Sequence, residues 1–254
     1  MNISRYIPNT ITSMNLLCGT LGVICVFNGR PEYAFPFMLA AAVFDFLDGM
    51  AARALDARSD MGKELDSLAD LISFGLLPSM MLHQLMKDLS PQAGLLCYMP
   101  LAITVFSALR LARFNVDDRQ SDNFIGLATP ACAMICASLS YYILQDPDSF
   151  LTRWAHGKVF IPLLSIILSA LLVSDIPMFS MKIKRGAQKN TPIYRLRVAF
   201  MGVICVSAVL TWLLGLNWSM AVLLIFVTYI IMNIIHCLTY RQETSRIRNS
   251  SRES

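Results

Sequence analysis

Charge is scarce in this chain of 254 residues, where Asp, Glu, Lys and Arg make up 15%; a soluble globular domain carries about 25%. That deficit, with 56% hydrophobic residues and a positive mean hydropathy, excludes a water-soluble domain. Histidine is scarcer still: His83, His156 and His236 are scattered along the chain, which argues against a histidine metal site. The seven cysteines form no C-x-x-C pair and lie in apolar stretches, so they read as small buried hydrophobes rather than a disulfide frame or a thiolate site. No G-x-S-x-G, H-E-x-x-H, P-loop or nucleic-acid motif occurs. The N-terminus has a polar "PNTITSMN" where a leader would be apolar, with no A-x-A site after it, and no cleavable signal is expected. Repeats and low-complexity linkers are missing too, which leaves one membrane domain.

What the chain has is long apolar blocks. They predict an all-α, polytopic membrane helix bundle with eight spans, at roughly 11–28, 34–53, 67–86, 94–112, 124–144, 159–175, 196–215 and 217–238. With both termini in the cytoplasm, all of the 21 Lys and Arg except Arg30, Lys87, Arg153 and Lys158 fall on the inner side, as the positive-inside rule requires. The run 176–195, with "KIKRGAQK" in it, is then a basic cytoplasmic loop that also attracts anionic lipid. The polar, basic tail 239–254 is expected to lack fixed structure.

One stretch breaks the apolar pattern. Asp45, Asp48, Gly49 and Ala52 share a face of the second predicted helix, with Arg53 adjoining it, and Gly62, Asp66 and Asp70 share a face of the third. A loop of about a dozen residues makes these helices antiparallel neighbours, so four carboxylates converge near the cytoplasmic surface. Each carboxylate in a bilayer costs roughly 2.5–3.5 kcal/mol, and one arginine cannot balance four. An all-oxygen cluster suits hard divalent ions such as Mg²⁺ or Mn²⁺, and a pair of ions is a known arrangement for attack at phosphorus. Gly49, Ala52 and Gly62 leave room for a bulky ligand or a close helix neighbour. Asp56, Asp60 and Glu64, in the predicted loop, read as ordinary surface acids.

The whole run, Asp45-x2-Asp48-Gly49-x2-Ala52-Arg53-x8-Gly62-x3-Asp66-x3-Asp70, resembles the signature of the CDP-alcohol phosphatidyltransferases at all eight of its positions. Three further stretches are similar to the members of that family that take serine. They are "IPNTITSMNLLCG" (7–19), "ALRLARFN" (108–115) and "FIGLATPACA" (124–133), the last departing at Ala128-Thr129 from the more usual Pro-Ser or Pro-Val. The resemblance implies a family core at 1–175, with the pair at 196–238 added to the usual six helices to buttress the core or a homodimer. It implies transfer of a phosphatidyl group from CDP-diacylglycerol to L-serine with release of CMP, in the cell membrane among its lipids, with the active site at the cytoplasmic face. Asp45, Asp48, Asp66 and Asp70 would ligate two Mg²⁺ or Mn²⁺ ions. Asp70 would also be the general base that the serine hydroxyl needs. Asn9, Thr12, Asp48, Gly49, Ala52, Arg53, Ser59 and Gly62 would bind the CDP-lipid.

Arg110 and Arg113, three apart, and Asn115 after them stand where they would clamp the serine carboxylate or would only anchor the helix by the positive-inside rule. Glycerol 3-phosphate or inositol phosphate as acceptor would need a denser basic pocket than these two arginines. A divalent-cation transporter would spread its acids along a path through the membrane, and here they gather on one side.

Overall fold

The computed structural model describes residues 6–57, 59–116, 124–179 and 192–250. Among the described residues the regular structure is helical apart from one two-residue strand pair. Its elements are α1 (Tyr6–Phe27), α2 (Ala34–Ala54), α3 (Asp60–Asp70), a π-helical segment (Leu71–Leu76), α4 (Leu77–Leu89), a 3-10 run (Pro91–Leu101) and α5 (Ala102–Val116). Then come β1 (Phe124–Ile125), α6 (Thr129–Gln145), α7 (Phe150–Ala155), α8 (Phe160–Val173), β2 (Pro177–Met178), α9 (Pro192–Leu213) and α10 (Trp218–Ser250).

Among the described residues six helical segments are long and apolar enough to cross a membrane: Tyr6–Phe27, Pro31–Ala54, Asp60–Leu89, Pro91–Val116, Tyr194–Leu213 and Trp218–Thr239. They match six of the eight predicted spans and make this a multi-pass membrane protein. The other two predicted spans are the helices α6 and α8, of 17 and 14 residues. At 1.5 Å per residue α8 reaches about 21 Å, short of a hydrocarbon core of about 30 Å. Large apolar side chains such as Phe46, Val105, Leu163 and Trp212 are exposed on the outer helices, as lipid contact requires.

Several boundaries move, each for a local reason. The third helix begins at Asp60 rather than 67, because Ser59 caps it: the Ser59 Oγ accepts from the Gly62 N–H at 3.1 Å. The predicted dozen-residue loop is therefore only five residues, 55–59, and Asp60 and Glu64 are helical. The helix before it closes with Ala57 N–H donating to Ala52 O at 3.0 Å across Asp56 at φ +48°, a Schellman arrangement in which an aspartate takes the left-handed position. The fifth helix starts at Thr129, not 124. Residues 124–125 pair with 177–178, and Gly126 turns at φ +77°, where a Cβ would meet Leu172 O at 2.6 Å; Pro130 then opens the helix. The tail predicted to lack fixed structure continues α10 as helix to Ser250, since extending an existing helix needs no new nucleus. The basic run 182–189 and residues Arg5, Arg58 and Arg119 lie outside the described residues, as do 251–254.

Buried α6 is the hub. Its small residues Ala131, Cys132, Ala133, Cys136, Ala137 and Ser138 are all buried, and small side chains let helices approach closely where lipid offers no hydrophobic drive. One apolar cluster joins α6 to α4, α5, α8 and α10 through Leu82, Ile103, Ile135, Leu168 and Leu223; a second joins it to α1, α2 and α4 through Cys18, Phe35, Met38, Leu77 and Ala133. On α1, Gly19 packs against the π segment so tightly that a Cβ there would lie 2.8 Å from the Ser73 Cα. This contact sets α1 beside the acid-bearing helices.

Candidate active site

The start of α1, the end of α2 and the start of α3 meet at one end of the bundle, around a cavity of about 420 Å³. Asp48 and Asp66 stand in its wall with Asn9, Thr12, Gly49, Ala52, Ser59 and Gly62. Asp45 completes the cluster: one carboxylate oxygen from each of Asp45, Asp48 and Asp66 lies within 4.8 Å of the others. The acids converge because α2 and α3 each carry theirs on one face and the five-residue loop folds the faces together.

The surroundings of the acids are specific. Thr12 Oγ donates to Asp48 Oδ2 at 2.6 Å and also lies 3.0 Å from Pro8 O; with one proton to give, the hydroxyl gives it to the charged partner. Asp66 Oδ1 is buried with no donor among the described residues. Three mutually close carboxylates, one with an orphaned buried oxygen, fit a hard cation, which removes both the repulsion and the unmet acceptor. Asp70, one turn beyond Asp66, accepts from Asn15 Nδ2 at 3.3 Å. Asn15 is held in turn, its carbonyl accepting from Ser73 Oγ at 3.1 Å.

The remaining predicted residues separate by position. Gly49 opens onto the cavity, with only the Arg53 guanidinium within 4 Å (3.7 Å) of where its Cβ would be. Gly62 lies under the start of α1, where a Cβ would come within 3.1 Å of Asn9 Oδ1. Arg110 is 8% exposed, donates to Thr129 Oγ at 2.8 Å and interacts electrostatically with Asp70. Arg113 points elsewhere: it pairs with Asp175 at 2.8 Å and reaches Val173 O at 3.4 Å. Asn115 ties α5 to α3, its side chain donating to Ser67 Oγ at 2.9 Å and its carbonyl accepting from Lys63 Nζ at 2.9 Å.

Three residues were not singled out by sequence reasoning. Asn15 lies three positions after Thr12, on the same buried face of α1, and that spacing was a usable signal. Lys63, in the first turn of α3, lines the cavity; the sequence marked it only as an inner-side charge. Thr129, which holds Arg110, had no signal beyond its place in the quoted stretch.

A multi-pass helix bundle that gathers aspartates from two consecutive membrane helices at a cavity has a carboxylate cluster that could hold a metal ion. The profile described as CDP-alcohol phosphatidyltransferase matches residues 5–174, and the chain belongs to that family. A CDP-diacylglycerol–serine O-phosphatidyltransferase of Bacillus subtilis is 40% identical over 137 residues, 54% of this chain and 76% of the relative. Another of that name from Mycobacterium bovis is 32% identical over 217 residues, 80% of this chain and 70% of the relative. A third, from Helicobacter pylori, is 30% identical over 171 residues, 66% and 70% of the two chains.

Proposed function

We propose that the protein transfers the phosphatidyl group of CDP-diacylglycerol to the hydroxyl of L-serine, releasing CMP, at the cytoplasmic face of the cell membrane. The observation that carries this reading is the carboxylate cluster at a cavity that the first turn of α3 also lines. Relatives bearing the name of this activity support the choice of serine. So does the presence, among the described residues, of a single buried arginine, Arg110, where a phosphorylated acceptor would call for more.

Asp45, Asp48 and Asp66, with Asp70 beside them, would hold the divalent ions, Mg²⁺ or Mn²⁺ and two in number. Bound there, such ions supply positive charge against the diphosphate and against the charge that develops as its bridging bond breaks. The chain's own groups do the rest. The first-turn N–H groups of α3, with Ser59 and Lys63, present the positive end of a helix to the diphosphate. Gly49 and Ala52 keep the cavity wall low enough for the nucleotide, with the Arg53 guanidinium beside Gly49. Asn15 fixes one oxygen of Asp70 and so orients the carboxylate that takes the proton of the serine hydroxyl. The freed oxygen attacks the phosphorus that bears diacylglycerol, and CMP leaves. Arg110 pairs with the serine carboxylate in a site shielded from water. A homodimer, with part of the exposed apolar surface covered by a second copy, belongs to the same reading.

CMP release by the purified protein, with CDP-diacylglycerol, a divalent ion and one acceptor at a time, tests it. Release that requires serine and stops with chelator is expected. Release only with glycerol 3-phosphate or inositol phosphate would replace the acceptor; silence with every acceptor would end the proposal.

A further inference from the structure

One buried amide beside the carboxylates is only half satisfied. Asn15 has no exposed surface, and its side chain offers two donor hydrogens and an acceptor oxygen. Nδ2 donates to Asp70 Oδ1 at 3.3 Å, whereas Oδ1 is buried with no donor among the described residues. The residue is held in place from two sides. Its main-chain carbonyl accepts from Ser73 Oγ at 3.1 Å, and it lies within α1 about one turn after Thr12, whose hydroxyl is bonded to Asp48. Turning the amide over would set its oxygen against the Asp70 carboxylate, acceptor against acceptor, and lose the bond that Nδ2 makes.

The unmet oxygen therefore stands next to Asp70, less than about 6 Å from Asp70 Oδ1, the length of the hydrogen bond plus that of one amide group. Two buried acceptors so close call for a donor between them. A divalent ion already has three carboxylates that converge on it, Asp45, Asp48 and Asp66, and Asp66 Oδ1 is the orphaned oxygen on that side. An ammonium, with three donors and a charge, suits the amide oxygen beside Asp70. Serine carries its ammonium on the carbon next to the one that bears the hydroxyl. With the hydroxyl at Asp70, the ammonium comes within reach of a neighbouring oxygen. Glycerol 3-phosphate and inositol phosphate bring only further hydroxyls or phosphate to that place.

We propose that Asn15 is a specificity-determining residue, whose Oδ1 accepts from the ammonium of the acceptor while its Nδ2 holds the carboxylate that takes the proton of the adjacent hydroxyl. One amide thus recognises both groups of a vicinal amino alcohol. This rests on the reading of serine as acceptor and of Asp70 as base. A bond to the ammonium is made only by an acceptor that has one, so its loss falls on amino alcohols, whereas any disorder brought to Asp70 slows every acceptor alike.

The test uses the full chain and CMP release at saturating CDP-diacylglycerol and divalent ion, with two acceptors: L-serine and 3-hydroxypropionate, which is serine without its amino group. In the parent, kcat/KM for serine is expected to exceed that for 3-hydroxypropionate about 10- to 100-fold, as a hydrogen bond to a charged group implies. Asn15→Leu keeps the size of the side chain and removes both ends of the amide. It is expected to slow both acceptors and to bring their kcat/KM values within about threefold of each other. Where 3-hydroxypropionate turns over too slowly to follow, its inhibition constant against serine takes the place of its kcat/KM. A preference for serine that survives in Asn15→Leu, with both acceptors slowed by the same factor, overturns the proposal and leaves Asn15 to act through Asp70 or the metal alone. A parent that uses the two acceptors equally well overturns it without any variant. Should Asn15→Leu fail to fold, Asn15→Ala carries the same expectation, and should both fail, the parent comparison decides. A parent active with glycerol 3-phosphate but not with serine overturns the substrate reading, and this proposal with it; a parent that requires serine, with the preference intact in the variant, overturns this proposal alone.

Discussion

Replacing Thr12 by valine isolates the bond between α1 and the carboxylate cluster. The change keeps the shape of the side chain and deletes only the hydroxyl, which donates to Asp48 Oδ2 at 2.6 Å in a buried setting. A hydrogen bond to a charged group contributes about 1.5–3 kcal/mol, equivalent to roughly 10- to 160-fold in an equilibrium constant. Mutations of groups that orient metal ligands cost about 10- to 100-fold in metal affinity, so two independent routes agree. The expected result is a rise of 10- to 100-fold in the Mg²⁺ or Mn²⁺ concentration giving half-maximal CMP release, with most of kcat restored at saturating metal. The assay is a metal titration at fixed, saturating CDP-diacylglycerol and serine, with a melting curve to show that the variant is folded. A Thr12→Val enzyme with the parent's metal dependence and a raised CDP-lipid KM would refute the reasoning; Thr12 would then touch the lipid nucleotide rather than support Asp48.

Asp70→Asn is expected to abolish turnover while equilibrium binding of CDP-diacylglycerol survives, because Asp70 stands outside the cavity wall; loss of binding would make it chiefly a metal ligand. Arg110→Ala should raise the serine KM by at least about 10-fold, since a charge-assisted contact of some 1.5–3 kcal/mol is lost, whereas Arg113→Ala, which breaks a half-exposed pair with Asp175 worth about 0.2–1 kcal/mol, should leave it unchanged; kinetics on both variants separate the arginines. Gly19→Ala forces a methyl against the Ser73 backbone at a cost of about 1–3 kcal/mol. It should appear as a lowered melting temperature in detergent, and an unaltered one would mean that α1 moves aside freely.

How far the sequence reached depended on the range of the contact. The aspartates were legible because their spacing of three and four within one hairpin places them on facing helix sides whatever the rest of the bundle does. Asn15 was legible in the same way, three residues after Thr12, and was passed over because its role appears only against Asp70. The start of α3 was missed because its first turn is polar, so hydropathy placed the boundary at the first apolar residue and ignored the Ser59 cap. The π segment after Asp70 leaves no composition signature, and the late start of α6 was missed because an apolar block does not reveal that a glycine turn and a proline set its first residue. The bond between Arg110 and Thr129 was out of reach for another reason. The two residues come from different helices, and nothing local in either registers the other.

That same scatter bears on how the enzyme comes into being. The four aspartates lie in one hairpin, complete once translation has passed Leu89, whereas Thr129, which holds Arg110, is added about 60 residues after Asp70, roughly 3–12 s later at ordinary elongation rates. A nascent chain threading into the membrane thus acquires the half of its site that holds the nucleotide donor long before the half that receives the alcohol. The acceptor end of its site waits on α6, and the order of residues along the chain acts as a timer on a reaction that a half-built site would perform badly.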